Sequence, residues 1–521
     1  MPAESELATL AHQLEELNRI GAALSAERDT ARLLDLILTK AREITDSDAG
    51  SLYVVEAGAG DASPRRLRFK IAQNDSVALP FRETLLDITD RSIAGHVALT
   101  GQAVMLDDAY ALPEGVPYTF NQDFDRSAGY RTRSVLAVPM QTPKGHTVGV
   151  LQLINARSAR AGGAAVPYTE RQRDLAASLA SQAAIALENS QLYTAIQQLF
   201  EGFVRASVGA IEARDPATSG HSFRVANLTV ALAEAADAAG GRLAGVHFSR
   251  EDMRTIRYAS LLHDFGKVGV REEVLVKAKK LYPLQMDLVR ERFKLARRSR
   301  EWMSMRARLD FALAHGADRY RERLAAFNAE LDAEVAGLDR QFAAIERANE
   351  PSVLPEGGFE RLVDIAATAF TDVDGSERPL LRPEEVRLLS LRKGSLSEAE
   401  RMEIESHVVH TFRFLSQIPW TREISQIPAI ALSHHEKLNG TGYPHKLAAL
   451  AIPVQTRMMT IADIFDALSA ADRPYKKAVP IERALDILGE AVKDGELDPD
   501  LFELFVGARV YDRWLVEPFP Y

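Results

Sequence analysis

The sequence of 521 residues contains no cysteine. This excludes disulfide bonds, thiolate zinc sites and cysteine nucleophiles. It also contains no run of about 18 apolar residues, so no transmembrane helix is predicted. The N-terminus is acidic and amphipathic, unlike the basic start and apolar core of a signal peptide. We therefore expect a cytoplasmic protein without membrane insertion.

The chain also has no excess of positive charge. Lysine and arginine number 63 against 73 aspartates and glutamates, a net charge of −10. Such a balance does not favour binding to a nucleic-acid polymer or to a membrane surface. The composition, 46% apolar and 26% charged, is typical of a folded globular chain. The length predicts roughly three domains.

Helical and strand patterns alternate in the first third of the chain. Leucines at spacings of three and four predict helix over 5–45. Short β-rich runs bounded by turn residues follow at 51–56, 67–72, 103–108, 134–140 and 147–155. This order predicts an N-terminal helix (1–30) and a compact α+β domain over 31–160.

A long helix is predicted over 167–205, because no proline follows Pro167 and no glycine precedes Gly202 in this stretch. Its apolar stripe would pack either on its own domain or against a second copy, and we favour the second alternative, a homodimer. We expect a further helix to follow it and to end near His221, because no clear breaker other than Gly202 and Gly209 lies between Pro167 and Pro216. These helices would connect the α+β domain to the rest of the chain.

The remainder, from 206 to 521, has an almost entirely helical pattern. Within it, the segment of about 286–392 differs, because it is rich in arginine and glutamate. Apolar residues from Leu324 to Ile345 recur there at spacings of three and four. This pattern predicts a helical hairpin or bundle inserted into a larger all-α domain.

Histidines and aspartates interrupt the apolar helices of this domain. Nine of the twelve histidines lie between 221 and 445, and Asp463 and Asp466 share one face of the apolar stretch IADIFDALSA. A single histidine is more often structural than a ligand. Several apolar helices that each direct a histidine or an aspartate inward are harder to explain by packing alone. A buried carboxylate without a partner, for example, is costly. Imidazole and carboxylate without thiol suit iron, manganese, zinc or nickel.

Phosphoester hydrolysis is the chemistry that such a site serves. Two ions about 3.5–4 Å apart, bridged by a carboxylate and a hydroxide, provide a nucleophile at neutral pH. Asp264 is the natural bridge, because a carboxylate has two oxygens whereas imidazole offers one lone pair. Lys267 would place its ammonium on a phosphate oxygen. A lysine at the C-terminus of a helix can also simply stabilise the helix dipole, and the two roles are compatible.

The strings HDFGKVGV, HHEKLNGTGYP and IADIFDALSAADRPYKK resemble the HD-GYP family of bacterial cyclic-di-GMP phosphodiesterases. The resemblance covers 206–285 and 393–480. It implies that 206–521 is an all-α, HD-type, metal-dependent phosphohydrolase domain with the helical insertion inside it. The implied metal ligands are His221, His263, Asp264, His407, His434, His435 and Asp463.

The resemblance also assigns these residues their roles. Asp264 would bridge two divalent ions. His407, His434 and His435 would bind one ion, and His263, Asp463 and His221 the other. Lys267 would contact the scissile phosphate, and Asp466 would hold a ligand or the lysine. The substrate-contacting residues would be Lys267, the loop Gly442, Tyr443 and Pro444, and Arg473 and Tyr475, which would brace that loop or touch the substrate.

Three positions depart from the family pattern. Ala217 stands where some members have a glutamate that supports a third metal, so two ions are expected here. Asn439 stands where aspartate is usual, which should alter hydrogen bonds in the loop. His407 lies much farther beyond Lys267 than is usual, because 286–392 intervenes. A lid, a dimer surface, a partner-binding surface and a purely structural role all stay open for that insertion.

The segments RSIAGHVALTGQAVMLDDAY (91–110) and 124–155 resemble the GAF family of sensor domains. GAF domains often bind a cyclic nucleotide or another small molecule, whereas many serve only as dimerisation modules. The absence of cysteine counts against a covalently attached bilin.

Together the resemblances imply a signalling phosphodiesterase, regulated by the GAF domain, that opens cyclic-di-GMP to linear pGpG and, in a second round, to GMP. Iron or manganese is the expected metal, with zinc, nickel and magnesium as alternatives. Two other functions stay open. One is an inactive scaffold that binds a nucleotide or a partner, and the other is an HD phosphohydrolase of another nucleotide.

Overall fold

The computed structural model describes residues 15–56, 65–77, 83–158, 164–215, 220–353, 356–470 and 478–515. The chain forms two compact units, 1–201 and 202–521, and each is described by itself. Among the described helices, none combines the length and the apolar character that a membrane crossing requires.

The N-terminal unit is built on an antiparallel sheet of order β3-β2-β1-β6-β5-β4, with β7 paired to β6. Each β-rich run predicted from the sequence forms a strand of this sheet, so that part of the prediction is confirmed. The strands are β1 (Ser47–Glu56), β2 (Arg66–Asn74), β3 (Thr84–Asp87), β4 (Val104–Leu106), β5 (Val135–Gln141), β6 (Thr147–Arg157) and β7 (Ala165–Val166).

Helices cover both faces of the sheet. On one face, α1 (15–26) and α2 (Thr30–Thr45) pack with α5 (Glu170–Arg214) against Leu52, Leu136 and Leu151. On the other face, α3 (Ile93–Thr100) contributes Ile93 and Val97 to a second cluster, and the short helix α4 (Asp123–Ala128) follows β4 in the chain. The unit is therefore an α+β domain with the sheet at its centre.

The predicted helix over 5–45 is two helices in the described residues. The chain leaves the helical conformation at 27–29, where the Asp29 carboxylate accepts a hydrogen bond from the Arg32 amide at 2.9 Å. An aspartate in this position caps a new helix. Residues 1–14 lie outside the described residues, and so does the first part of the leucine pattern.

The environment of the long helix α5 changes along its length. As far as Leu187 its inner face is buried in the core of its own domain. From 191 to 199 every side chain is exposed, including Leu192 (54%), Ile196 (65%) and Leu199 (76%). Packing on its own domain, the alternative that we favoured less, therefore holds for the first half of α5.

The C-terminal unit is helical around the predicted site. Its core contains Leu228 and Leu232 of α6, Leu262 of α7 and Phe465 of α15. Outside the insertion the helices are α6 (His221–Asp237), α7 (Arg250–Leu262), α8 (Glu272–Leu275), α12 (Glu398–Glu405), α13 (His407–Leu415), α14 (Ile427–Leu432), α15 (Val454–Ser469), α16 (Ile481–Lys493) and α17 (Pro499–Gly507).

The predicted helical path from α5 to His221 is interrupted. Helix α5 ends at Arg214, and His221 is the first residue of α6. Gly220 before it has φ 66° and ψ −2°, a left-handed conformation that ends helical continuity and favours glycine. His221 therefore begins a separate helix, and the expectation of a helix that ends near His221 was wrong.

The insertion contains a long antiparallel helical hairpin, α9 (Pro283–Ala348). It reverses at Gly316, whose φ of 84° and ψ of 168° lie outside the helical region. The two arms meet where the Phe293 and Phe342 rings are 5.3 Å apart, and where the Arg308 guanidinium donates to the Phe327 carbonyl at 3.1 Å. The arms and the segments that follow form a hydrophobic cluster of their own.

The rest of the insertion differs from the helical pattern that we predicted. After α10 (Gly358–Ala367), a two-stranded ribbon of β8 (Ala369–Thr371) and β9 (Glu377–Pro379) precedes α11 (Pro383–Leu389). The turn is closed by the Asp372 amide, which donates to the Ser376 carbonyl at 2.8 Å. The Asp-Gly pair at 374–375 is the turn signal that the helical interpretation overlooked.

The hairpin turn yields a stability prediction. Gly316→Ala should destabilise the hairpin, because φ 84° with ψ 168° costs a residue with a side chain about 1–3 kcal/mol. Gly337→Ala, within the second arm, is the matched control and should stabilise the helix by about 0.5–1 kcal/mol. Hydrogen exchange of amides 300–335 in the intact protein should therefore speed up in the first variant and slow down in the second. Equal exchange in both would contradict the described turn.

Candidate metal centre

Five segments of the C-terminal unit place histidines and aspartates around one point. His221 begins α6, His263 and Asp264 follow α7, His407 begins α13, His434 and His435 follow α14, and Asp463 lies in α15. His263 and His434 are 0% exposed, and His407 is 1% exposed. The structure thus brings together all seven residues that the sequence analysis assigned to metal binding.

Two small residues allow the segments to approach each other. A Cβ atom on Gly266 would lie 1.9 Å from the His407 carbonyl oxygen, so only glycine permits α13 to pack on this turn. The Thr411 hydroxyl accepts a hydrogen bond from the Gly266 amide at 2.8 Å and donates one to the His263 carbonyl at 2.9 Å. These contacts fix His407 opposite the His263-Asp264 pair.

Three of the imidazoles are held in the same way. Nδ1 of His263, His407 and His434 donates to the carbonyl oxygen three residues earlier, at 2.7, 2.7 and 2.6 Å. This bond fixes the tautomer and leaves the Nε2 lone pair available. All three Nε2 atoms are buried without a hydrogen-bond partner. Buried nitrogens of this kind are normally satisfied, so a bound cation explains them.

The fourth imidazole is oriented by a carboxylate. Nδ1 of His221 contacts Asp466 Oδ2 at 2.7 Å, and its Nε2 lies 3.1 Å from Asp463 Oδ1. Asp466 is fully buried and also accepts from Arg224 at 2.6 Å. Asp466 therefore faces away from the other ligands and positions His221, one of the two roles the resemblance implied for it.

Asp264 has the geometry of a bridge. Its Oδ1 lies 3.3 Å from Nε2 of His407, whereas its Oδ2 lies 3.5 Å from Nε2 of His263 and 3.8 Å from Nε2 of His221. Oδ2 also contacts the Lys267 ammonium at 2.8 Å, and Asp215 contacts the same ammonium at 3.4 Å. The two oxygens of one carboxylate thus face two different sets of imidazoles.

The ligand atoms form groups of the size that a metal ion needs. Within each group the atoms all lie within 4.8 Å of one another. The groups are His407, His434 and His435; His221, His263 and Asp264; and His263, His434 and Asp463. A set of imidazoles and carboxylates without thiol fits divalent iron, manganese, zinc or nickel. The residues present therefore suit a pair of divalent ions.

Burial and charge set the protonation of these groups. Burial lowers the pKa of His263 and His434, and neighbouring histidines lower the latter further, which leaves both rings in the neutral form that binds metals. Burial raises the pKa of Asp463, but hydrogen bonding and the charge of His221 outweigh it and keep the pKa well below its usual value. Burial lowers the pKa of His221, but Asp463 and Asp466 raise it to about 9. In the absence of metal, His221 is therefore protonated, and the proton on its Nε2 lies next to Asp463, where a divalent cation would bind.

The loop Gly442-Tyr443-Pro444 borders the open side of the cluster. His435 keeps 29% of its side chain exposed, and its ring lies 4.8 Å from the Tyr443 ring. A Cβ atom on Gly442 would lie 2.4 Å from the Lys437 amide nitrogen, so glycine is required where the loop folds back. The buried Glu436 carboxylate fixes the loop by accepting from the amides of His445 and Leu447 at 2.7 and 2.9 Å.

The other positions singled out in the sequence lie either outside the described residues or in the loop. Arg473 and Tyr475 lie outside the described residues, and so does Ala217. The side chain of Asn439 accepts from the Thr441 amide at 3.0 Å and donates to the Asp494 carbonyl at 3.1 Å. An aspartate has no proton to donate at neutral pH, so the bond to the Asp494 carbonyl depends on the asparagine.

Several residues that shape the site escaped sequence reasoning. They are Asp215, Arg224, Thr411, Glu436 and Thr460, whose hydroxyl donates to the His434 carbonyl at 2.8 Å. Each acts by holding a ligand, a loop or the lysine. The sequence offered one signal for these residues, which was a glutamate, Glu436, directly after His435. A carboxylate that is buried at such a position needs hydrogen-bond partners.

Family models match most of the chain in three segments. Residues 29–187 match the GAF domain model. Residues 218–335 and 380–501 match two models that are each described as an HD domain. Together, the two segments that match HD-domain models contain every residue of the cluster.

Curated relatives match over shorter stretches. A 3′3′-cGAMP-specific phosphodiesterase of Vibrio cholerae is 40% identical over 111 residues, which are 21% of this chain and 23% of the relative. A cyclic di-GMP phosphodiesterase response regulator of Xanthomonas campestris is 41% identical over 98 residues, 19% of this chain and 25% of the relative. The chain thus spans about a quarter of the length of these relatives.

Solved GAF domains also match. The GAF domain of an Acinetobacter phosphoenolpyruvate-protein phosphotransferase has 17% sequence identity and a TM-score of 0.26, and the match covers 35% of this chain and 95% of that structure.

The cluster predicts metal content directly. Protein purified without oxygen should contain two divalent ions per chain, and His407→Ala should lose about one of them, because it removes a ligand atom from the first group. His410→Ala is the matched control on the same helix, since His410 belongs to none of the groups. Inductively coupled plasma mass spectrometry gives the metal content. Full metal content in His407→Ala would contradict the assignment.

Proposed function

We propose that this chain, which combines a GAF domain with HD-domain segments, is a metal-dependent phosphodiesterase that hydrolyses cyclic-di-GMP. The observation that supports this most is the convergence of seven imidazoles and carboxylates, six of them buried, with three unpartnered Nε2 atoms. The curated names of the relatives supply the substrate class, cyclic dinucleotides.

His407, His434 and His435 would hold one ion, His221, His263 and Asp463 the other, and Asp264 would bridge them. When bound, such ions lower the pKa of water and neutralise charge on a phosphoryl group. Asp466 and Arg224 keep the His221 ring in place through bonds of 2.7 and 2.6 Å. A ring fixed in this way needs no reorganisation during the reaction.

Lys267 is the residue that would bind the scissile phosphate. Burial lowers its pKa, but Asp264 and Asp215 outweigh this effect and raise it, so the ammonium stays charged at any physiological pH. A fixed cation beside the reacting phosphoryl group stabilises the charge that grows on its oxygens in the transition state. With 16% of its side chain exposed, Lys267 lies at the boundary between the cluster and solvent.

The nucleotide would approach over His435 and Tyr443, on the side where the cluster is open. Tyr443 offers an aromatic face for a base, and Glu436 holds the loop that presents it. The product would be linear pGpG and, after a second round, GMP. Iron or manganese would fill the site, since imidazole and carboxylate ligands accept both.

A second substrate follows from the relatives, because one of them is named a 3′3′-cGAMP-specific phosphodiesterase. The two cyclic dinucleotides share the phosphodiester and differ in one base. The residues of the cluster would act on the phosphodiester of either. Side-by-side turnover of both compounds decides between them, and turnover of neither favours the binding scaffold.

Regulation would begin in a cavity of the GAF domain. The cavity measures about 330 Å³ and is lined by Tyr53, Phe69, Gln73, Asn74 and Gln152, among others. The rings of Tyr53 and Phe69 stack with centroids 5.0 Å apart. Such a cavity suits a small molecule that combines an aromatic part with hydrogen-bonding groups. Occupancy would reach the HD segments through α5, which spans 170–214.

A homodimer would form along the exposed part of α5. Leu192 and Leu199 lie seven residues apart, as do Ile196 and Phe203, and all four are at least 45% exposed. Apolar residues in this spacing form the seam of a coiled coil. The dimer would bring two GAF domains under common control.

The mechanism predicts separate effects of two variants. Asp264→Ala should abolish metal binding and turnover, whereas Lys267→Met should retain both ions and lose about 10²–10³-fold in kcat. Lys437→Met, whose lysine pairs with Glu496 at 2.7 Å, is the control and should keep its turnover. The measurements are anaerobic hydrolysis with product identification, metal content and circular dichroism. Turnover by folded Asp264→Ala would refute the assigned site.

Filling the GAF cavity should change turnover at the HD segments. Ala72→Trp places an indole in the cavity, and the coupling predicts a change in kcat/KM of about fivefold or more. Leu99→Trp, at a position that is 58% exposed on the same domain, is the control. Unchanged turnover in Ala72→Trp, with a GAF domain shown to be folded, would argue against this route of regulation.

A further inference from the structure

The first arm of the α9 hairpin carries an exposed apolar stripe. Its members are Leu284, Leu288, Leu295, Trp302, Leu309 and Leu313, with exposed fractions of 71, 49, 41, 60, 58 and 77%. At 3.6 residues per turn, all six fall within an arc of about 60°. Apolar side chains this exposed on one narrow face mark an interaction surface.

The stripe is not the face that folds the hairpin. The opposite side of the same arm buries Val289, Phe293 and Ala296 against the second arm and its neighbours. The arm therefore has two apolar faces, one already packed and one without cover among the described residues. A helix that is apolar on two sides needs a second partner.

The order of the stripe identifies that partner. Its six residues are symmetric about the point between Arg298 and Ser299. Leu284 and Leu313 lie at equal distances from this point, and so do Leu288 and Leu309, and Leu295 and Trp302. Two copies of the arm aligned antiparallel would match each of these residues with its counterpart, as an isologous interface requires.

The charges on the stripe obey the same symmetry. Glu291 and Arg306 fall within its arc, and they too lie at equal distances from the point between Arg298 and Ser299. An antiparallel pair would therefore place each glutamate opposite an arginine of the other copy. Within the arm Glu291 also contacts Lys294 at 2.7 Å, and the Arg306 guanidinium lies 5.5 Å from the centre of the Trp302 ring. The flanking Arg290 and Arg298 contact Asp287 at 2.5 Å and Glu301 at 2.6 Å.

We propose that the first arm of the insertion is a self-association surface, through which two copies of this chain pair as antiparallel helices about a twofold axis near Ser299. Each half-exposed side chain has roughly 100 Å² of accessible surface, and the two copies contribute six such side chains each. Their pairing would bury about 1,200 Å² in total, which is the lower limit of specific interfaces. This contact is distinct from the pairing along α5, and it gives the insertion a role that does not depend on catalysis.

Single cysteines test the alignment, because the chain has none of its own. Ser299→Cys lies beside the axis and should form a disulfide-linked dimer under mild oxidation. Leu313→Cys should not cross-link to itself, but should cross-link when mixed with Leu284→Cys. Val373→Cys, at an exposed turn outside the stripe (92% exposed), measures random collision. Self-linkage of Leu313→Cys, or Ser299→Cys linkage at the level of Val373→Cys, would overturn the proposal.

The charge pair gives an independent test on the full-length protein. Glu291→Arg and Arg306→Glu should each lower Ser299→Cys cross-linking about fivefold or more, and the double exchange should restore it, as a pair in direct contact requires. Failure of the double exchange to restore it would overturn the antiparallel register. If the unchanged protein binds anionic phospholipid vesicles, and Trp302→Glu abolishes that binding without changing the cross-linking, the stripe is a membrane-binding surface. This result would likewise overturn the proposal.

Discussion

The C-terminal unit depends on one electrostatic constraint, which is the burial of imidazoles and carboxylates around Asp264. Each unsatisfied buried polar atom costs about 1–3 kcal/mol, and Nε2 of His263, His407 and His434 are all unsatisfied in the protein alone. A pair of cations would satisfy these nitrogens and the carboxylates together. Binding of cations here would therefore stabilise the folded unit.

The surrounding structure serves to hold these groups in one orientation. Carbonyl oxygens three residues earlier fix three of the rings, Asp466 fixes the fourth, and Gly266 lets α13 approach the bridging carboxylate. Lys267 contributes the only lysine ammonium among the described contacts of Asp264. The insertion contributes no residue to the three ligand groups, and it has a hydrophobic cluster of its own.

Local patterns were enough to predict the strands but not the connections. The β-rich runs became strands because their turns and alternation are local properties. Charged groups that interrupt apolar helices marked the candidate ligands, whose full set came from the family resemblance. The start of a new helix at His221 follows the left-handed conformation of Gly220, which the sequence pattern did not reveal. The β8-β9 ribbon forms around a turn inside a charged segment that otherwise has a helical pattern. Asp215, Arg224 and Glu436 escaped prediction because their roles arise from contacts between residues far apart in the chain or within a loop.

The most direct test is anomalous X-ray diffraction from crystals of protein prepared without oxygen, measured at the absorption edges of iron and manganese. The account predicts two peaks per chain, one beside His407, His434 and His435 and the other beside His221, His263 and Asp463, with Asp264 between them. A single peak elsewhere, or two peaks that Asp264 does not touch, would contradict it.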